Sequence, residues 1–230
     1  MANDLLVFIR RAWRNANRRI SRAYLDLAAS RTDQKLEKLG SQAHGWYAPP
    51  DLPQGARCYC IGVGLDASFD FALAERGAEV HAFDPTPTAI AYMERENAAG
   101  TVTFHPWGVL DRDTTMRLHY PMNADHGSYF IHDLHGTGKF HEVPCHRMST
   151  IMKKLGHREV YLVKMDIEGS WYEAVPDMLA SGIRPLYVQI EFDSPAPVWR
   201  VAPVLRALSA NGYRMALRAG DNTVFKRTGG

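Results

Sequence analysis

Cysteine is scarce in this chain: three in 230 residues, Cys58, Cys60 and Cys145, with no C-x-x-C pair among them. That count excludes a disulfide framework and a cysteine-built zinc site, and it suits a reducing compartment. Long apolar runs are lacking too. The N-terminal run, Leu5 to Ile9, is shorter than a signal peptide's apolar region and far below the ~20 residues that span a bilayer. A cytoplasmic protein is expected, at most peripheral at a membrane. An excess of one charge is missing as well: the net charge is +2, which argues against a general polyanion binder and against a nucleic-acid partner. There is no Gly-x-Ser-x-Gly elbow for hydrolase chemistry, no Tyr-x-x-x-Lys pair, no internal repeat and no low-complexity segment.

What is present describes a globular protein. Hydrophobic residues make up 46% and charged residues 23%, close to the soluble average, and the length suits one sizeable core with an appendage. The charge is unevenly placed. Residues 1 to 22 hold six arginines against Asp4, so the body is mildly acidic and the N-terminal arm basic. In residues 4 to 29, Leu5, Ile9, Trp13, Ala16, Ile20, Tyr24 and Leu27 recur at spacings of three and four. They form one stripe of a basic amphipathic helix. Such a helix docks on its own domain, lies on an anionic membrane surface or grips a partner. Residues 1–39 are therefore read as a helical extension, 40–56 as a Gly- and Pro-rich linker and 57–230 as the main domain.

The main domain alternates. Strands are predicted at Arg57–Ile61, Glu79–Phe83, Val102–His105, Glu159–Ile167 and Leu186–Phe192. Helices fall between them at Ser68–Arg76, Thr88–Ala98, Met148–Leu155 and Trp171–Ser181, and another follows at Val198–Ala210. The last two strands, Tyr213–Leu217 and Thr223–Lys226, are too close for a parallel crossover and must form an antiparallel hairpin. An α/β fold follows, with a mostly parallel seven-stranded sheet ending in that hairpin. Residues 119 to 146 read as an irregular insertion holding six of the ten histidines.

The first strand ends in Gly62-Val63-Gly64 and turns into a helix, where glycine lets the backbone turn sharply and a ligand approach closely. Asp84 ends the next strand, where an acid can bind a ribose diol. Gly62, Gly64, Ala67 and Asp84 are compatible with a nicotinamide dinucleotide or with another adenosyl ligand. Asp66 at the helix entrance would repel a pyrophosphate but tolerate a ligand carrying an ammonium group.

The stretch Tyr59 to Pro85, with Gly62-Val63-Gly64, Ser68-Phe69-Asp70 and Phe83-Asp84-Pro85, resembles the FkbM-type class I S-adenosylmethionine-dependent methyltransferases. So does the block Lys164-Met165-Asp166-Ile167-Glu168-Gly169. The Ser-Phe-Asp and Phe-Asp-Pro signatures are similar to those of methyltransferase-like proteins of animals. The resemblance covers roughly residues 55 to 228; Cys60 departs from it, standing where many class I enzymes carry an acid. It implies a Rossmann-like fold and S-adenosylmethionine as cofactor, held by Gly62, Gly64, Asp66, Phe69, Asp84, Pro85, Trp107, Gly108 and Val109. It also implies O-methylation of a hydroxyl on a small molecule or glycan.

Catalytic groups are expected at the carboxyl ends of the fourth and fifth strands. Asp166 is the expected residue nearest the methyl group, with Glu191 assisting and His126 as a further candidate base. Asp166, Glu191 and Asp193 are candidates for holding a hard divalent cation. Two other readings stay open: a non-catalytic membrane- or partner-binding module on the same fold, and an NAD(P)-dependent oxidoreductase.

Overall fold

The structure, a computed structural model, describes residues 2–28, 34–119, 140–167, 169–192 and 196–228. The chain runs α1 (Ala2–Ala28), β1 (Glu37–Leu39), β2 (Trp46–Ala48), β3 (Arg57–Ile61), α2 (Ser68–Glu75), β4 (Glu79–Phe83), α3 (Pro87–Glu96) and β5 (Thr103–His105). It continues through β6 (Gly108–Leu110), β7 (Thr114–His119), β8 (Phe140–Arg147), α4 (Met148–Leu155), β9 (Leu162–Met165), α5 (Trp171–Ala180) and β10 (Tyr187–Glu191). It ends with α6 (Val198–Ala210), β11 (Tyr213–Ala219) and β12 (Asn222–Arg227).

Seven strands form the main sheet in the order β11-β12-β10-β9-β3-β4-β5. The five from β10 to β5 are parallel, and β12 runs antiparallel to both β10 and β11. The chain moves outward from β3 to β4 and β5, then returns to β9 on the other side of β3. That reversal opens a crevice at the carboxyl ends of β3 and β9.

Strand alternation divides the core. Tyr59, Ile61, Val163, Met165, Val188 and Ile190 face α4, α5 and α6, while Cys58, Cys60, Val80, Ala82 and Leu162 face α2 and α3. Both faces are covered, which explains why these strands are near-continuous apolar runs. Local chemistry fixes the helix ends. The Thr86 hydroxyl accepts a hydrogen bond from Ala89 N–H ahead of Pro87 at the start of α3, and Gly156, in the left-handed region at φ 70°, ends α4.

Two sequence expectations are corrected. The stretch read as a linker holds β2, which pairs with β1, and Leu39, Trp46 and Ala48 are buried in the α2-side core. Three-residue strands are too short to leave a periodic signal. The 119–146 stretch is not irregular throughout, because β8 pairs with both β6 and β7 in a second sheet. Pro144 argues against a central strand, but β6 reaches only Cys145 to Arg147, so among the described residues Pro144 is paired on one side alone.

Helix α1 docks on α6. Leu25 is buried in the main core, the Ser21 hydroxyl donates to the Ala196 carbonyl, and Arg18 and Arg22 both pair with Asp221. Trp13, Ile20 and Leu27 remain exposed. No helix among the described residues is long and apolar enough to cross a membrane.

Candidate functional site

Register places the site. Ile61 is level with Phe83 and Met165, and Met165 with Ile190, so Gly62, Asp84, Asp166 and Glu191 each leave their strands in one row at the carboxyl edge. Gly62 closes this row against Asp166. At φ 87° it lies in the left-handed region, and a Cβ there would sit 1.8 Å from the Asp166 carbonyl oxygen. Only glycine allows the two backbones to approach this closely.

Asp84 holds the glycine turn in shape. One carboxylate oxygen accepts from Val63 N–H (2.9 Å) and Gly64 N–H (3.0 Å), and the other from Thr86 N–H (2.8 Å) and the Thr86 hydroxyl (2.6 Å). Four donors use the four or so acceptor positions of a carboxylate. A ribose hydroxyl would therefore share or displace one of them.

Beneath the turn lies a charged group from the Lys-Met-Asp-Ile-Glu-Gly block. Lys164, 4% exposed, donates from Nζ to the Gly62 carbonyl (2.5 Å), stands 3.7 Å from Asp166 Oδ2 and lies 5.3 Å from the centre of the Trp46 ring. Burial pulls its ammonium pKa down, but Asp166 and Asp70 outweigh that and hold it above the usual lysine value. A lysine inside a parallel strand buried on both faces was the available signal, because such a charge needs partners. Asp70, in the first turn of α2, is 2% exposed, and its Oδ2 has no hydrogen-bond partner among the described residues. Burial pushes its carboxyl up to about 6, with Lys164 opposing.

A cleft of ≈ 140 Å³ opens beside this row. Gly62, Asp84, Pro85, Trp107, Gly108, Val109 and Asp166 line it, with Ser170 and an apolar wall of Leu110, Met116 and Leu118 from the second sheet. Gly108 must stay small: a Cβ on it would lie 2.5 Å from Cys145 Sγ. The half-buried Trp107 ring stacks on His105 at 4.8 Å, which covers one of its faces.

Other expected residues are elsewhere. Phe69 is buried in the core beneath α2 and does not line the cleft, because the first turn of α2 points that side chain inward against the sheet. Asp66 also lies off the cleft: one oxygen accepts from Ser68 N–H (2.8 Å), capping α2, and the other from the Ser41 hydroxyl (2.7 Å). Burial raises its pKa, but the Ser68 and Ser41 hydrogen bonds outweigh that and leave it below the usual carboxylate value. Gly64 is exposed at φ 56° outside the lining. Glu191, the last residue of β10, does not line the cleft. His126, Glu168 and Asp193 lie outside the described residues, so the Asp166, Glu191 and Asp193 set is represented by its first two members alone.

The crevice, the glycine turn against Asp166 and the acid at the end of β4 thus lie together at one edge of the sheet. No curated protein matches the chain. The family model described as the methyltransferase FkbM domain matches residues 58–215, from the second residue of β3 into β11 and so across the whole row. By that match the chain belongs to the FkbM methyltransferase family.

Proposed function

We propose that this methyltransferase uses S-adenosylmethionine to methylate a hydroxyl group on a small molecule or glycan. The observation that carries the reading is the row of Gly62, Asp84 and Asp166 at the point where strand order reverses, in a chain of this family. The strand order supports the class I arrangement of such enzymes, with the N-terminal helix an addition to it.

The residues fit an adenosyl ligand. The turn at Gly62 leaves backbone where a side chain would intrude, Asp84 is the acid at the ribose position, and Trp107, Gly108 and Val109 make a flat, mostly apolar wall for a base. When bound, the cofactor supplies an electrophilic methyl group on a sulfonium. The protein's part is then alignment of the acceptor and removal of its proton. Asp166 lies at the cleft, half-exposed, and accepts the hydroxyl proton as the oxygen attacks. Such a base contributes ~10²- to 10⁴-fold. Lys164 holds the Gly62 carbonyl and stands beside Asp166, so it positions both the turn and the base.

A dinucleotide is disfavoured by the ionised Asp66 at the entrance of α2, where a pyrophosphate would have to sit. The test is methyl transfer from labelled S-adenosylmethionine across a panel of hydroxylated acceptors, followed by Asp166→Asn on the acceptor found. A loss of ~10²-fold or more in kcat is expected. Full activity in that variant would contradict the assignment of the base.

A further inference from the structure

A second cluster of coordinating side chains lies outside the cleft. Glu79 and His81, alternate residues of β4, point to the same face of the sheet, and His157 reaches them from the turn after α4. Glu79 Oε1 is 3.0 Å from His81 Nε2 and 3.5 Å from His157 Nε2, and the three donor atoms all lie within 4.8 Å of one another. Metal–ligand bonds of ~2.0–2.1 Å in a tetrahedron put neighbouring donors about 3.3 Å apart. The observed separations bracket that value.

We propose that Glu79, His81 and His157 bind one divalent transition-metal ion of the Zn²⁺ type, with a fourth position left for water or an exogenous ligand.

The surroundings are those of a supported ligand set. The two histidines offer Nε2 to the ion, and each Nδ1 already has a partner: His105 Nε2 at 3.0 Å for His81, and the Tyr59 hydroxyl oxygen at 2.6 Å for His157. Glu79 Oε2 accepts from Arg57 Nη2 at 2.8 Å. Partners on the non-coordinating atoms fix ring orientation, tautomer and carboxylate rotation, the usual support of metal ligands. The turn is fixed as well, since His157 N–H donates to the Met152 carbonyl (2.8 Å) just after left-handed Gly156.

The donor set selects the ion. Two imidazoles and one carboxylate suit Zn²⁺, Co²⁺, Ni²⁺ or Cu²⁺, whereas Mg²⁺ and Ca²⁺ require oxygen ligands. Arg57 works against the ion: its Nε donates to Glu79 Oε1 at 3.1 Å, a bond that metal would displace, and its charge remains nearby. The site is thus weaker than one with four protein ligands. It also stands apart from methyl transfer, since β4 carries its acid Asp84 at the opposite end, ~13 Å or more along the strand from Glu79.

The test uses the full chain, freed of metal by a chelator and titrated with Co²⁺, then Zn²⁺. One equivalent of Co²⁺ should bind with the visible absorption of a four-coordinate ion, yield to Zn²⁺ and resist millimolar Mg²⁺. Glu79→Gln and His157→Gln should each weaken binding about 100-fold or more, and Tyr59→Phe, which removes only the support of His157, about 10-fold. Circular dichroism establishes that each variant is folded, and Glu79, with 41% of its side chain exposed, tolerates Gln. No Co²⁺ binding, or binding unchanged in folded Glu79→Gln and Tyr59→Phe, would overturn the proposal and leave the cluster a hydrogen-bonded network.

Discussion

At the scale of single residues, the two glycines of one turn differ in kind. Gly62 has a carbonyl where its Cβ would be, whereas Gly64 has open space around it and only its positive φ to satisfy. Gly64→Ala should therefore cost ~1–2 kcal/mol, the penalty for left-handed backbone. Gly62→Ala adds a backbone collision and should cost about 3 kcal/mol or more. Urea denaturation compares them, and equal losses would contradict the geometry. The sequence motif presents both glycines alike; only the register of β3 with β9 separates them.

Asp70 makes a pH prediction at the same scale. Its carboxyl is raised from 3.8 to about 6, so the folded state holds a proton that the unfolded chain releases. Its contribution to stability is complete below 3.8 and is lost as pH rises through about 6, a difference on the order of 3 kcal/mol. Asp70→Asn stays neutral at every pH, so its stability relative to the parent protein should rise between pH 4 and pH 7 in equilibrium denaturation. A pH-independent difference would contradict the assignment. The sequence showed Asp70 only as part of Ser-Phe-Asp; its burial beside Lys164 and Cys60 comes from packing of α2 on the sheet.

At the scale of elements, long periodic segments were legible, and of the three-residue strands only β5 was, because it follows α3 in the strand–helix alternation. Strand β3 and helices α4 and α6 match the expected limits, because their apolar patterns run over several residues against a buried face. Strands β1, β2 and β6 have three residues each and are set by the strands beside them rather than by a pattern of their own. Helix α1 had three readings in the sequence, and the structure gives it two faces. Leu25 faces inward, and Leu25→Ala should cost ~2–5 kcal/mol in thermal or chemical melts. Trp13, Ile20 and Leu27 face outward at intervals of seven residues, with Trp13 6.1 Å from the exposed Trp199. A tryptophan-bearing apolar stripe beside arginines suits an anionic membrane surface. If this face meets a membrane, Ile20→Glu with Leu27→Glu abolishes sedimentation with anionic vesicles while leaving the melt unchanged. Unchanged sedimentation would contradict a membrane role for this face.

At the scale of the whole molecule, the alternation of strands and helices made the sheet legible, and the sheet in turn places the site. Asp84 and Asp166 are far apart in sequence, and two independent registers with β3 bring them to one edge. Those residues were legible because strand ends in a parallel sheet meet wherever the order reverses. Asp66, Phe69 and Glu191 do not line the cleft: Asp66 is held by Ser41 and Ser68, and Phe69 packs into the core beneath α2, contacts that no local sequence pattern announces. Lys164 and the Glu79, His81 and His157 cluster have no motif to announce them and emerge only once β3, β4 and β9 are paired.

The cleft is proposed to bind an adenosyl sulfonium and not a dinucleotide. Calorimetric titration of the purified protein with S-adenosylmethionine, S-adenosylhomocysteine and NAD tests it most directly. The two adenosyl ligands should each bind with one-to-one stoichiometry, weaken on Trp107→Ala, and raise stability by about 2.7 kcal/mol at 100-fold excess over Kd, with no response to NAD. Silence from both adenosyl ligands, or heat from NAD alone, would contradict the account.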